Sequence, residues 1–250
     1  MNTKLSIIIP TYLEEKLLGN LLLQFSQDIK DKYNIETIVS DGGSTDATLT
    51  IANQYADKVV VASPSQKRSI SQGRNNGADA ASSDILVFLN ADCMPKNIES
   101  FLKYISHWTA DFSINNNHNI DAIACKVQAF PEEEQLTDKI FYFLHNNYVR
   151  LLNFLGIGMG RGECQIVRKD IFHKIGKYNS NLAAGEDFDL YRRIKKHNGK
   201  IYFAKELVIY ESPRRFRKYG YLKTLWYWTI NSLTVIFWDK SISKEWEAIR

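Results

Sequence analysis

Short runs of β-branched residues alternate with stretches of helical periodicity in the first half of the chain. LSIIIP (residues 5–10) and ETIVS (residues 36–40) are bounded by turn formers, as buried strands are. The segment between them carries apolar residues at helical spacing. Continuous apolar strands alternating with helices predict a mostly parallel sheet covered on both faces. The pattern continues with a helix opened by Ser44, Thr45 and Asp46, a strand at 58–62, a helix from about 66 to 80 and a strand at 85–89.

The second half of the chain is less regular. Residues 115–117 are three asparagines, which indicate a surface loop. We expect an α/β fold, with a main domain over residues 1–212 and a basic, aromatic helical tail over residues 213–250. The predicted elements are a strand at 122–130, a helix from about 135 to 152, a glycine-rich segment at 156–163, a strand at 165–168, a helix from near 186 and two short strands near 201 and 208.

Composition and charge narrow the class of protein. At 250 residues with 44% hydrophobic content, the chain can bury a large core. A formal charge of +4 is too small to indicate nucleic-acid binding. The three cysteines are widely spaced and odd in number, which argues against a disulfide framework or a zinc site and favours a reducing cytosol. The first apolar run is too short for a signal peptide or a membrane span, so we expect a cytoplasmic protein.

Polar side chains follow three of the predicted strands. They lie in the segments Thr11 to Glu14, Asp41 to Ser44 and Asn90 to Asp92. Ligands of doubly wound sheets bind at the carboxyl ends of the strands, so these segments should surround one crevice.

The segment VSDGGSTDAT places Asp41 at a strand end, and Gly42 and Gly43 allow a tight turn. Ser44 or Thr45 can cap a helix whose first amides face an anion. A turn with a helix cap explains the same residues without a ligand.

Arg68, Arg74 and Asn75 precede the strand DILVFL and can lie over the same crevice. Their cations and amide donors would suit phosphate oxygens. The alternative is a solvated helix face.

A carboxylate exposed at the end of a buried strand can hold Mg²⁺ or Mn²⁺ beside a diphosphate, because hard cations need few protein oxygens when the substrate supplies the rest. Asp92 fills that role, whereas Asn90 would be a weaker ligand or a hydrogen-bonding partner. The alternative is a turn that ends the strand.

Glu186, Asp187 and Asp189 stand at the start of a predicted helix, where the macrodipole favours negative charge. Helix capping explains them. The chemical interpretation is that Asp187 points into the crevice as a general base for an acceptor hydroxyl.

These four motifs, in this order, resemble family 2 glycosyltransferases of the GT-A fold, and SPRRF (residues 212–216) is similar to a sequence in membrane-associated members. The resemblance implies an inverting hexosyltransferase that uses a UDP- or GDP-linked sugar in glycan or cell-envelope synthesis. The acceptor would be a hydroxyl or phosphate of a sugar, polyol or polyprenyl lipid. The resemblance implies that Asp92 holds a divalent cation, that Asp187 is the general base and that Asp41 contacts the nucleobase or the ribose. The residues implied to lie beside the nucleobase are Pro10, Thr11, Tyr12 and Glu14. The other residues of the predicted binding site are Gly42, Arg68, Arg74, Asn75, Asn90 and Glu186.

Two positions depart from the family pattern. Leu13 stands where asparagine is common, and Asn90 stands where the metal motif usually has a first aspartate. The second change predicts looser metal binding, or a metal held mostly by the diphosphate.

The tail combines basic residues with a run of aromatic and aliphatic ones, TLWYWTINSLTVIFW. This run is shorter than a spanning helix needs. Tryptophan and tyrosine beside basic residues are typical of a helix lying on anionic lipid, which predicts peripheral contact with the inner face of the cell membrane. The alternative is that the tail is a helix packed on the main domain. One helix can pack on the domain and also contact a membrane.

Two other functions fit parts of the pattern. A sugar-1-phosphate nucleotidyltransferase also uses a doubly wound sheet and a metal, but should carry a glycine-rich basic loop after its first strand, which LSIIIPTYLEE lacks. A degenerate domain that binds a nucleotide sugar without turnover is the non-enzymatic alternative, which Asn90 keeps open.

Overall fold

The computed structural model describes residues 5–63, 65–66, 68–114, 120–238 and 240–241; the side chains of residues 109–114 are not described. The strands are β1 (Leu5–Thr11), β2 (Ile35–Asp41), β3 (Lys58–Val61), β4 (Ile85–Leu89), β5 (Met94–Pro95), β6 (Ile120–Ala129), β7 (Cys164–Arg168) and β8 (Lys200–Glu211). The helices are α1 (Leu18–Leu23), α2 (Gln27–Tyr33), α3 (Thr48–Tyr55), α4 (Ile70–Ala80), α5 (Ile98–Ile114), α6 (Leu136–Phe154), α7 (Lys169–Lys174), α8 (Glu186–Lys196), α9 (Arg214–Tyr219) and α10 (Tyr221–Trp238).

The described strands form one mixed sheet in the order β3-β2-β1-β4-β7-β6-β8-β5. Strand β1 runs parallel to both β2 and β4, and β2 runs parallel to β3. Strand β7 is antiparallel to both of its neighbours, while β6 and β8 are parallel. The predicted α/β class with a GT-A arrangement is confirmed. The carboxyl ends of β1, β2 and β4 therefore meet at one edge, with Thr11 opposite Asp41.

Both faces of the sheet are buried, and strand β1 shows how. Ile7 and Ile9 pack in one core cluster and Ile8 in the other, because successive side chains alternate across a strand. Helix α4 lies close against β1: a Cβ at Gly77 would stand 2.4 Å from a methyl carbon of Ile8. This close packing of α4 on β1 determines where Arg74, on the same helix, lies relative to the end of the sheet.

Some predicted bounds were wrong. The two short strands expected near 201 and 208 are one strand, β8, whose register shifts opposite Cys125 and Lys126. Exposed Lys205 and Glu206 fall near this irregularity and interrupt the alternation in the sequence. The single helix expected after β1 is two short helices, α1 and α2.

Two predicted helix starts lie too early in the chain. Helix α4 begins at Ile70 instead of near residue 66, because the Ser69 side chain caps it by accepting a hydrogen bond from the Gln72 amide at 3.1 Å. Helix α3 begins at Thr48, two residues after Asp46. The asparagine run at 115–117 lies outside the described residues.

The tail packs on helix α6. The ring centroid of Phe216 lies 4.5 Å from that of Phe141, and Phe216 is buried in the main core. Arg217 donates to the buried carboxylate of Asp138 at 2.6 Å. The boundary at residue 212 stays a prediction, but Phe216, which follows it, belongs to the core of the main domain.

Candidate active site

A cavity of about 820 Å³ opens at the carboxyl ends of β1 and β4 and continues between helices α6, α8 and α10. All but two of the predicted site residues line it: Pro10, Thr11, Tyr12, Glu14, Gly42, Arg68, Arg74, Asn90, Asp92, Glu186 and Asp187.

The two exceptions, Asp41 and Asn75, lie behind the cavity wall. The buried Asp41 carboxylate accepts hydrogen bonds from the Thr11 hydroxyl at 3.0 Å, the Gly43 amide at 2.8 Å and both the amide and hydroxyl of Ser44 at 2.7 and 2.5 Å. The Asn75 side chain bonds both backbone groups of Tyr178. Both residues therefore hold the loops that shape the cavity.

Arg74 ties together the two halves of the site. Its side chain is fully buried and pairs with Glu186 at 2.9 Å. It also donates to the Asn90 side-chain oxygen at 3.0 Å and to the Gly162 carbonyl at 2.7 Å. Pairing its charge in this way offsets the cost of burying the guanidinium, although its Nε has no hydrogen-bond partner among the described residues. Arg74 thereby fixes the start of α8 against the end of β4, and Asn90 serves as its hydrogen-bonding partner.

The three acids at the start of α8 have different surroundings. Glu186 pairs with Arg74, and Asp189 pairs with Arg193 at 2.7 Å. Asp187 is half-buried, faces the cavity and accepts a hydrogen bond from the Phe188 amide at 2.8 Å. Burial, followed by the charge of Glu186, raises the pKa of Asp187 to about 7. A carboxylate with a pKa near neutrality is suited to taking a proton from a hydroxyl.

Asp92 lies at the cavity edge with its side chain 37% exposed. Its Oδ2 accepts a hydrogen bond from Arg214 at 3.0 Å. Within the described part of the chain, no cluster of three or more metal-ligating side chains occurs. The donor set fits a hard cation that takes one oxygen from Asp92 and the rest from a diphosphate and water, and does not fit an all-protein cage.

Tyr12 and Arg68 form a platform at the β1 end of the cavity. The Tyr12 side chain is 41% exposed, and the Arg68 guanidinium lies 5.5 Å from its ring centroid. The Gly42 amide donates to the Thr11 carbonyl at 2.8 Å, which closes the turn beneath them. An exposed aromatic face beside a cation offers a stacking surface for a planar ring.

Sequence reasoning missed a buried ionic group in the cavity wall. Arg161 is 2% exposed and donates to Glu163 at 2.7 and 3.1 Å and to Glu211 at 2.6 Å. Burial raises the pKa of Glu163, but the Arg161 charge outweighs it and holds the value at about 2. Burial and the charge of Glu163 raise the pKa of Glu211 well above its ordinary value. Their positions in the sequence could have indicated this group: Arg161 and Glu163 stand in the glycine-rich segment, and Glu211 comes immediately before SPRRF.

An aromatic wall from α6 and α10 was also missed. His145, Tyr148 and Trp228 line the cavity, and the His145 ring lies 6.3 Å from Tyr148 and 5.2 Å from Trp228. Burial, followed by the charge of Arg161, lowers the pKa of His145 to about 3, so the imidazole is neutral at physiological pH.

Known proteins share this architecture. Glycosyltransferase AglE of Haloferax volcanii is 22% identical over 215 residues, which cover 84% of this chain and 67% of that protein. The mannosyltransferase PcManGT from Pyrobaculum calidifontis, solved in complex with GDP-Man and Mn²⁺, matches with a TM-score of 0.65 at 18% identity over 89% of this chain and 62% of that one. TarS of Staphylococcus aureus, a poly(ribitol-phosphate) beta-N-acetylglucosaminyltransferase, was solved with UDP-GlcNAc and matches with a TM-score of 0.59 at 19% identity over 84% of this chain and 58% of that one.

The chain spans 67% of AglE, 62% of the PcManGT chain and 58% of the solved TarS fragment 1–349, but only 30% of the whole of TarS. The sequence model of the family described as "Glycosyl transferase family 2" matches residues 6–176, which is more than half of the chain. The chain belongs to glycosyl transferase family 2.

Proposed function

We propose that this protein is an inverting glycosyltransferase that moves a sugar from a nucleoside diphosphate sugar to an acceptor hydroxyl or phosphate. The observation that supports it most is Asp187, a cavity-facing carboxylate with a pKa near 7. Apart from Asp41, the other predicted residues of the strand ends line the same cavity. UDP and GDP are the expected nucleotides, since the two solved relatives carry GDP-Man and UDP-GlcNAc.

In the proposed reaction, Asp187 accepts the proton of the acceptor hydroxyl. The acceptor oxygen then bonds to the anomeric carbon on the face opposite the leaving group. The bond from that carbon to the diphosphate oxygen breaks, and the diphosphate leaves with the electron pair. Single displacement from the opposite face inverts the anomeric configuration.

The remaining residues would position the donor. Tyr12 and Arg68 would hold the base, and Thr11 and Gly42, which line the same cavity, would lie beside it. Asp92 would hold a divalent cation, and such an ion neutralises charge on a departing diphosphate. The charge of Arg74 is neutralised by Glu186, so we do not expect it to bind the substrate phosphates. We assign to Arg74 the role of positioning α8.

We also propose that transfer takes place at the cytoplasmic face of a membrane. Helices α6 and α10 expose large apolar side chains beside the cavity, including Phe154 at 86%, Leu222 at 84% and Trp226 at 65%. Lys218 and Lys223 are exposed next to them. In the described residues, no helix has the length and hydropathy to cross a membrane. An apolar face with basic neighbours is suited to lying in the interface of an anionic bilayer, where a lipid-linked acceptor would be within reach.

The function is tested with purified protein, Mn²⁺ and a panel of UDP- and GDP-sugars. A thermal-shift screen identifies the nucleotide, because a ligand that binds the native state raises its apparent stability. Release of free nucleoside diphosphate then measures turnover, and NMR of the product gives its anomeric configuration. Nucleotide binding without turnover of any donor would favour the degenerate domain, and retention of configuration would exclude the proposed mechanism.

A further inference from the structure

Helix α10 forms one wall of the cavity and joins the two helices that flank it. The α10 residues in this wall include Leu225, Trp228, Asn231 and Ser232. Near the start of α10, the Tyr221 ring lies 5.2 Å from that of Phe141 on α6. Near its end, Val235 packs with Leu182 and Phe188. The second half of α10 therefore lies against the start of α8, which carries the proposed base.

The two halves of α10 are held in different ways. Tyr221, Leu225 and Trp228, in the first half, pack against the main core cluster. In the second half, Val235 belongs to a separate cluster of three buried side chains, and its carbonyl accepts a hydrogen bond from Arg192 at 3.1 Å. A segment with few buried apolar contacts opens at a lower free energy than the core does. We call this second half, residues 229–238, the strap.

Polar side chains at the start of the strap bond to the helix itself. Thr229, Asn231 and Thr234 each donate to the carbonyl four residues earlier, at 2.8, 3.1 and 3.2 Å. Hydroxyl bonds of this kind weaken a helix slightly and often bend it. The helix therefore has a bending point between the half that is fixed in the core and the strap.

The outer face of α10 is apolar along the whole helix. The exposed side chains on it include Leu222, Trp226, Leu233 and Phe237, which recur at helical spacing. In water, lifting the strap would expose Val235 and its two partners, and that exposure opposes opening. In a lipid interface, acyl chains replace the lost contacts of Val235, because lipid tails are as apolar as a leucine side chain. A bilayer therefore lowers the cost of opening the strap.

The charges around this face select the kind of surface that it fits. Asp138 is the only acidic residue of α6 and α10, and it is buried in a pair with Arg217. The exposed charged residues of the two helices are Lys139, Arg150 and Lys223. A second copy of the chain would bring like charges together, whereas anionic lipid would complement them. The partner that this face fits is an anionic bilayer.

We propose that the strap closes the Asp187 end of the cavity in water and lifts from α8 when the outer face of α10 enters an anionic bilayer. Opening exposes the base to an acceptor at the membrane surface. This inference rests on the proposed transfer at a membrane and adds its regulation: the membrane not only holds the protein but also opens its site.

Thiol labelling of Leu182→Cys in the full chain measures the opening. Leu182 is 1% exposed and packs against Val235 of the strap. The native residues Cys93, Cys125 and Cys164 are buried, so the wild type supplies the background rate. The reagent is a charged maleimide, and the vesicles contain equal parts of phosphatidylglycerol and phosphatidylcholine. Labelling should be roughly tenfold faster with vesicles, since the rate follows the population of the open form.

Matched variants separate opening from general damage. Val235→Ala removes strap contacts and should speed the labelling without vesicles, whereas Leu233→Ala, on the outer face, should not. Replacing Trp226 and Phe237 together with serine should remove the effect of vesicles. Ala184→Cys, a small change at another buried position of the same segment, replaces Leu182→Cys if that variant does not fold.

Vesicles that fail to bind, or that bind without speeding the labelling, would overturn the proposal. Equal labelling rates in the Val235 and Leu233 variants would also overturn it. Release of nucleoside diphosphate from UDP- and GDP-sugars is measured in parallel on the wild type with Mn²⁺ and vesicles. Faster labelling without turnover of any donor removes the proposed transfer and leaves a membrane-sensitive strap. Turnover without a change in labelling removes the strap alone.

Discussion

Arg214 donates a hydrogen bond from Nη2 to Oδ2 of Asp92 at 3.0 Å. The carboxylate that the sequence assigns to a metal is thus paired with a cation from the tail. A divalent cation held by Asp92, as we propose, would have to compete with Arg214 for this oxygen, so helix α9 and metal binding would be linked.

Arg214→Gln should therefore tighten Mn²⁺ binding, because it removes the competing charge. The expected change is an approximately 3- to 10-fold lower Kd, corresponding to an exposed ion pair of about 1 kcal/mol. Calorimetric titration with Mn²⁺ in the presence of the nucleotide measures it. Lys218→Gln on the same helix is the control and should leave the Kd unchanged. Weaker Mn²⁺ binding in Arg214→Gln would instead show that Arg214 helps to hold the metal–diphosphate.

Asp187→Asn should lower turnover by roughly 10²- to 10⁴-fold while donor binding survives. The amide oxygen can still accept from the Phe188 amide, so the local hydrogen bond is kept.

Because the native state raises the pKa of Asp187, the charged form destabilises the fold above the ordinary carboxyl pKa. The melting temperature at pH 8 should therefore stay the same or rise. Wild-type turnover should fall as the pH drops through about 7, where the carboxylate takes up a proton.

Asp189→Asn is the control for that variant and should show the opposite result. It breaks the buried pair with Arg193, so the melting temperature should fall while the rate per folded molecule changes little. Normal turnover in Asp187→Asn would exclude the general-base role.

Glu36→Gln should destabilise the protein at neutral pH. Burial raises the pKa of the Glu36 carboxyl, but hydrogen bonds from Ser6, Lys58 and Ser82 outweigh burial and lower it to about 2. A depressed carboxyl pKa contributes stability that is complete above about 4.5 and is lost as the pH falls towards 2. The loss at pH 7 should be at most about 3 kcal/mol and should shrink below pH 4.5.

Urea unfolding from pH 3 to pH 7 measures this difference, with exposed Glu132→Gln as the control. A penalty for Glu36→Gln that does not change with pH would show that packing, and not charge, is responsible.

Leu13→Asn should stabilise the protein by about 0.5–1 kcal/mol. Leu13 has φ of 56°, in the left-handed region that asparagine tolerates better than leucine. Its amide is fixed by the Ser44 hydroxyl at 2.8 Å, so the turn cannot relax. Thermal and urea unfolding measure the gain. Leu13→Ala keeps the strained backbone and should not stabilise; equal behaviour of the two variants would rule out strain as the cause.

The face formed by α6 and α10 should bind vesicles of phosphatidylglycerol and phosphatidylcholine, and salt should weaken the binding. Replacing Trp226 and Phe237 together with serine should abolish co-flotation with the vesicles. Leu23→Ser removes an exposed apolar side chain from α1 and is the control. If the double variant instead abolishes self-association and vesicles never bind, the face is an interface between two copies.

The sequence by itself determined the strand-end motifs and their meeting point. A run of β-branched residues favours a strand, and the parallel strands of one sheet align their carboxyl ends, so Thr11, Asp92 and their neighbours were expected to share an edge. The family resemblance added roles for these residues, and the family model confirmed the membership.

Tertiary structure alone decided which of these side chains face the cavity. Asp41 and Asn75 were predicted to bind substrate, but they are absent from the cavity lining. The Asp41 carboxylate accepts hydrogen bonds from Thr11 and from Gly43 and Ser44 of its own turn, and the Asn75 side chain bonds the backbone of Tyr178. The cavity wall formed by His145, Arg161, Glu211 and Trp228 joins residues from α6, the glycine-rich segment, β8 and α10. Sequence periodicity reports only which face of a local element is apolar, whereas contacts such as that of His145 with Trp228 depend on how separate elements pack.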